Sequence, residues 1–155
     1  MMATPEVVQT VRDGSEGIVA GLSAGKGYVD MSTATVNSAP PMPPCPSTPN
    51  CISSQADDTH RIDPFRIAGD ANAAFDKLRQ LLAQRSDTTV ISPDDTTIKV
   101  EFRTTLGFVD DGLFVLDGAN NLIHVRSAAR LGYWDLGKNR LRMEEIRQSF
   151  FKDQR

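Results

Sequence analysis

Cysteine, histidine and large aromatic side chains are scarce in this 155-residue chain, which holds two Cys, two His, one Trp and two Tyr. A zinc site would have to recruit His60 and His124 beside both cysteines, so no metal set and no cofactor is expected. No apolar run approaches the roughly 18–20 residues of a membrane span, which excludes a transmembrane segment of its own and leaves peripheral membrane association open. The charge sum, 17 Lys and Arg against 20 Asp and Glu, lacks the basic excess of a nucleic-acid binder. There is no phosphate loop, because Gly25-Lys26-Gly27 has no strand before it and no helix after it. No nucleophile elbow is present either. The first 44 residues carry only Arg12 and Lys26 as cations and no apolar core long enough for a secretory signal. That absence has two readings: the chain stays where it is made, or it is the mature form of a longer precursor.

What is there suffices for one folded domain. Hydrophobic residues make up 39% and charged residues 24%, enough apolar surface for a core. Residues 1–44 contain a single aromatic, Tyr28, and read as an extended Pro/Gly/Ala/Ser-rich arm and linker, with a short helix at Thr4–Val11. Six of the nine prolines fall between Pro40 and Pro49, a stiff stretch that cannot continue a helix or sheet. Cys45 and Cys51 sit six positions apart within it, and a disulfide, two free thiols and a metal site all stand as readings.

From residue 61 onward the periodicities become regular. Asp70 caps a helix over 71–85, with Ala71, Ala74, Phe75, Leu78, Leu81 and Leu82 on one face. Strands are expected at 65–67, 88–92, 97–103, 113–117 and 122–128, the third of them alternating Ile98, Val100 and Phe102 against Lys99, Glu101 and Arg103. A last helix over 136–151 buries Met143, Ile146 and Phe150 behind Asp135 as its cap. Short connections make the strands sequential neighbours. The expectation is an α+β domain over 45–155: a two-layer fold, its antiparallel four- to five-stranded sheet covered on one face by two helices and preceded by the arm.

The polar residues that stand out lie late in the chain. Arg126, Ser127, Arg130, Tyr133, Trp134, Asn139 and Arg140 are the candidate ligand or partner contacts. Arginines beside a helix amino end make a plausible anion site, and exposed Tyr133 and Trp134 suit a protein contact. Against this stands structural ion pairing by Asp110, Asp111 and Asp135, with Asp110 or Asp111 satisfying Arg126 or Arg130. His124 reads as a half-exposed strand residue, and His60 as part of a polar loop. No residue is assigned a catalytic role.

Three stretches, CPSTPNCISSQ at 45–55, FVDDGLFVLD at 108–117 and IHVRSAARLGYWDLGKNRLRMEEIR at 123–147, resemble the bacterial and plant family catalogued as domain of unknown function 1499. Cys45, Pro46, Pro49, Asn50, Cys51 and Ser53 match its first signature, and Asp110 and Asp111 its second. Arg126, Ser127, Arg130, Gly132, Asp135, Gly137, Asn139 and Arg140 match the third. Trp134 departs from the small polar residue expected after Tyr133. The resemblance implies no activity. It does imply that some relatives are exported, that plant relatives associate with the chloroplast and thylakoid lumen, and that a Cys45–Cys51 disulfide fits. The expected function is a non-catalytic accessory protein, an extrinsic subunit whose arm, residues 1–44, lies along protein partners in a larger membrane-associated, conceivably photosynthetic, assembly. An oxidising lumen or periplasm is the favoured setting, with cytoplasm or stroma as the alternative. A small-molecule binding domain using the arginines stands second, and a hydrolase pairing Asp111 with His124 third.

Overall fold

The computed structural model describes residues 40–152. The expected helix at 4–11 and most of the arm lie outside these residues.

Asp70 accepts the Ala73 N–H at 2.7 Å, supplying one of the partners that a helix start lacks, and α1 follows as Ala71–Gln84. Its buried face is Ala74, Phe75, Leu78 and Leu82. Strand β3 (Thr88–Pro93) runs antiparallel to β4 (Thr97–Arg103), with a bulge between Val90 and Ser92. The turn between them is tied by Asp94, whose carboxylate accepts the Thr96 and Thr97 N–H groups. Strand β5 (Val109–Asp117) pairs along all of β4 and then along all of β6 (Leu122–Ala129). Helix α2 (Lys138–Lys152) closes the chain, burying Met143, Ile146 and Phe150 completely.

The architecture is α+β, with two helices and an open antiparallel sheet of six strands among the described residues. Both helices contribute to one core with Ile98, Val100, Phe102, Phe114, Leu116, Ile123 and Val125, so they share one face of the sheet. The sixth strand was not visible in the sequence. Cys51–Ser53 forms β1 and Phe65–Arg66 forms β2, and both pair with the same edge of β6. β1 takes residues 126–128 of β6 and β2 takes 122–123, so one edge is filled by two short strands with residues 54–64 looping out between them. Two further boundaries move. β5 begins at Val109 rather than at 113, which puts Asp110 and Asp111 inside the strand. α2 begins at Lys138 rather than at 136, because Leu136 and Gly137 take left-handed backbone conformations.

Among the described residues the opposite face of the sheet has no helix, but it is not bare. Pro40–Pro44, assigned to the arm from composition, docks on the domain. The Met42 N–H donates to Gln55 Oε1 at 2.8 Å, Arg126 Nη2 donates to the Pro44 carbonyl at 3.2 Å, and Met42 is buried. Cys45 and Cys51 stand at disulfide distance, with sulfurs 2.07 Å and Cα atoms 5.7 Å apart. A bridge closing so short a loop contributes about 2 kcal/mol, mainly by restricting the unfolded chain. Reduction is therefore expected to lower the unfolding free energy by about that amount and to open 40–50 to proteolysis first. Urea melts and limited digestion with and without reductant test this; an unchanged midpoint would show that the bridge holds nothing the non-covalent contacts do not.

Candidate functional site

Strand geometry sends Asp110 and Asp111 to opposite faces. Asp111 points to the helix-free face, where it meets Arg130 in a two-pronged pair with an Nη2–Oδ1 distance of 2.7 Å. Arg130 also bonds Glu101 across the strands, and these two carboxylates raise its pKa. Asp110 points into the core. Its partner is neither Arg126 nor Arg130, as charge counting suggested, but Arg142 of α2, which donates from Nη1 at 2.9 Å. Both are almost wholly buried, and the Arg142 guanidinium lies 4.6 Å over the Phe102 ring.

That pair anchors a buried polar network. Arg142 Nη1 also reaches Asn139 Oδ1 at 3.3 Å, and the same oxygen accepts the Ser127 hydroxyl. Asn139 Nδ2 donates to the Asn50 carbonyl at 3.2 Å, and Asn50 Nδ2 donates to the Gly132 carbonyl. The Asn50 carbonyl takes a second bond from the Ala129 N–H at 2.9 Å. Four segments far apart in sequence are thus joined in a dry interior, where an unmade hydrogen bond is expensive. Ser127 and Asn139, candidates for ligand contact, are fully buried members of this network.

Asp135 makes no side-chain ion pair among the described contacts, contrary to expectation. It accepts the Gly137 N–H at 3.0 Å and the Asn139 N–H at 2.8 Å, so it caps α2 across the displaced start. Arg140 donates to the Thr59 carbonyl at 3.2 Å, in the 54–64 loop. Arg126 stays on the helix-free face; burial lowers its pKa, and its Nε is buried without a partner. The arginines are therefore not gathered into one anion site. In the 54–64 loop, His60 is buried rather than solvated. Asp58 holds it through Nδ1 at 2.9 Å and raises its pKa, while its Nε2 faces the Thr48 carbonyl at 3.2 Å.

What the network supports is an apolar end of the sheet. The loop 104–108 after β4 and the loop 130–137 after β6 stand side by side around a groove of about 220 Å³, lined by Leu106, Phe108, Leu131, Trp134 and Leu136 and bordered by Lys138. Trp134 is 63% exposed and Leu136 68%, and Tyr133 is exposed beside them. Leu136 carries a double penalty: its φ of +59° disfavours a side chain, and its apolar surface meets water. Gly132, at φ +91°, presents the carbonyl that Asn50 holds, which ties this loop to the buried network. The sequence had singled out Tyr133 and Trp134, but it missed Leu106, Phe108, Leu131 and Leu136, which become neighbours only when β4 and β6 flank β5. It also missed Arg142, a charge on the buried face of a helix. The one available signal was its position, three residues after Asn139 and four before Ile146.

These features define a small disulfide-bearing α+β domain in which the signature residues Asn50, Asp110, Ser127 and Asn139 join an internal polar network. The chain belongs to the family described as Protein of unknown function (DUF1499), whose model matches residues 42–150. No curated protein and no solved structure gives a significant match to it.

Proposed function

We propose that this chain is an accessory protein that works by docking on a protein partner through the apolar end of its sheet. The observation that supports this is the concentration of exposed Leu106, Phe108, Leu131, Tyr133, Trp134 and Leu136 in two adjoining loops. A clustered apolar surface of this kind marks an interaction site, and Trp and Tyr are the side chains that contribute most at interfaces. The groove's volume points to its occupant. At about 220 Å³ it lies below the roughly 300–1,000 Å³ of ligand pockets and suits one or two bulky apolar side chains. Asp135 and Lys138 both border it, so its margin carries both signs and the apolar knob is what selects the partner. Among the described residues, no group of His, Cys, Asp or Glu at this end could hold a metal, and no helix could cross a membrane.

In the finer version the partner is part of a larger membrane-associated assembly in an oxidising lumen or periplasm, thylakoid in a plastid. The disulfide and the family resemblance support that setting. Docking through the arm, residues 1–44, has its composition as support. Replacing Trp134 and Leu131 together by Ser is expected to weaken partner binding by at least 30-fold without changing the melting temperature, since both side chains are already exposed. Site-specific photocrosslinking from position 134 and from Ile91, exposed elsewhere, provides the check. Crosslinks that form equally from both positions, or binding that survives the double substitution, would remove this reading.

A further inference from the structure

At the other end of β6, three side chains meet whose combined chemistry the docking face does not use. Ser54 Oγ lies 3.1 Å from His124 Nδ1, and His124 Nε2 lies 3.7 Å from Asp117 Oδ2. The sheet register explains the meeting. Asp117 stands opposite Leu122, so His124, two residues on and on the same face, is its diagonal neighbour. Ser54 follows β1 directly, at the point where the chain leaves the edge of β6.

One order of protons compatible with these hydrogen bonds suits catalysis. The Val125 N–H donates to Ser54 Oγ at 2.9 Å, which fixes the oxygen and lets it direct its own proton to His124 Nδ1. A neutral imidazole accepting at Nδ1 carries its proton on Nε2, facing Asp117. Asp117 is buried and is oriented by Asn120, whose N–H and Nδ2 donate at 3.1 and 2.8 Å. An architectural serine at this edge needs only the Val125 contact; an imidazole backed by a buried carboxylate is not required for it. Ser54 and His124 also line a cleft of about 450 Å³ bordered by Arg61, Arg66 and Arg147, with Asp63 as its one carboxylate.

We propose that Ser54 and His124, with Asp117 as the positioning residue, form an acyl-transfer centre that hydrolyses small carboxylic esters bearing an anionic group. Ser54 Oγ attacks the ester carbonyl carbon while His124 Nδ1 takes the hydroxyl proton. The bond from that carbon to the alkoxy oxygen breaks, and the leaving alcohol departs with the proton from Nδ1. Water then attacks the acyl-Ser54 carbon and passes a proton to Nδ1. The acyl–Oγ bond breaks, Ser54 recovers its proton, and the carboxylic acid leaves. Asp117 stabilises the imidazolium formed in each half. Arg61 and Arg66 at the rim select the anionic ester over its neutral isostere, while Arg147 is held by Glu144.

The test exposes the folded full chain to a fluorophosphonate, which forms an Oγ–phosphorus bond with an activated serine and expels fluoride. Intact-mass and peptide spectra should show one adduct, at Ser54, and none after heat denaturation. His124→Gln, which keeps the Val125 contact of Ser54, should slow labelling at least 100-fold. The 4-nitrophenyl ester of succinate should turn over at least tenfold faster than that of butyrate, with the preference lost in Arg66→Ala. No adduct on the folded chain, or labelling at an unchanged rate in His124→Gln, would each overturn the proposal. Because the docking loops lie at the opposite end of β6, failure here leaves the partner-binding result untouched, and the reverse also holds.

Discussion

Replacing Asp110 by Ala is expected to cost about 3–5 kcal/mol of unfolding free energy, a large share of what a domain this size possesses. The reason lies less in the lost attraction than in what is left behind. Arg142 is buried with its guanidinium over Phe102, and its remaining polar contact of note is the 3.3 Å bond to Asn139. Without the carboxylate, a buried charge keeps no carboxylate hydrogen-bonded to it and only the more distant field of Asp87. Asp110→Asn keeps an acceptor for Nη1 and should lose less. The pair Asp110→Leu with Arg142→Met should lose less than Asp110→Ala alone, since replacing both members by apolar groups of similar bulk is often neutral. Urea denaturation of the four proteins measures all of this. If the double variant were the least stable, the pair would contribute net stability of its own, and the desolvation account would be wrong.

Gly112→Val should come close to this in effect. Gly112 sits in mid-β5 on the helix-covered face, opposite Val100 of β4 and Ser127 of β6. A Cβ there would lie 2.3 Å from Phe102 Cε2 and 2.6 Å from Val100 Cγ2. The glycine is needed for space, not for an unusual backbone angle, because the Phe102 ring occupies the volume its side chain would take. Neither neighbour can retreat easily, since both are buried at the sheet's centre. Overpacking of this kind costs roughly 1–3 kcal/mol, and the shortness of both contacts puts Val at the upper end. Adding Phe102→Leu should restore much of the loss by vacating the ring's edge. Equilibrium unfolding decides it: if Phe102→Leu worsened Gly112→Val, the strain would have to lie elsewhere.

Both positions show where sequence reading succeeds and where it stops. The family signature marked Asp110, Ser127 and Asn139, and it could equally have marked ligand contacts. Their burial, with Arg142 inside, makes them scaffold. The cysteine pair could be read as bonded, free or metal-bound until the fold brought the sulfurs together. Asp111 was considered beside His124, yet strand register sets it against Ala128 and leaves His124 beside Asp117.

The sequence by itself determined the two helices, the alternation of β4, the β5–β6 hairpin and hence the α+β class. Each of these follows from residues within a few positions of one another, where a 3.6- or 2-residue apolar period and a capping side chain act locally. Only the tertiary structure decided that β1 and β2 share one edge of β6, that Arg142 belongs inside, and that scattered apolar loop residues form one face. It likewise placed Ser54, His124 and Asp117 together. These depend on contacts between residues many positions apart, and three buried residues such as Cys51–Ser53 are too few to show a period. A side chain's partner across a sheet is set by register, and register is a property of the assembled core.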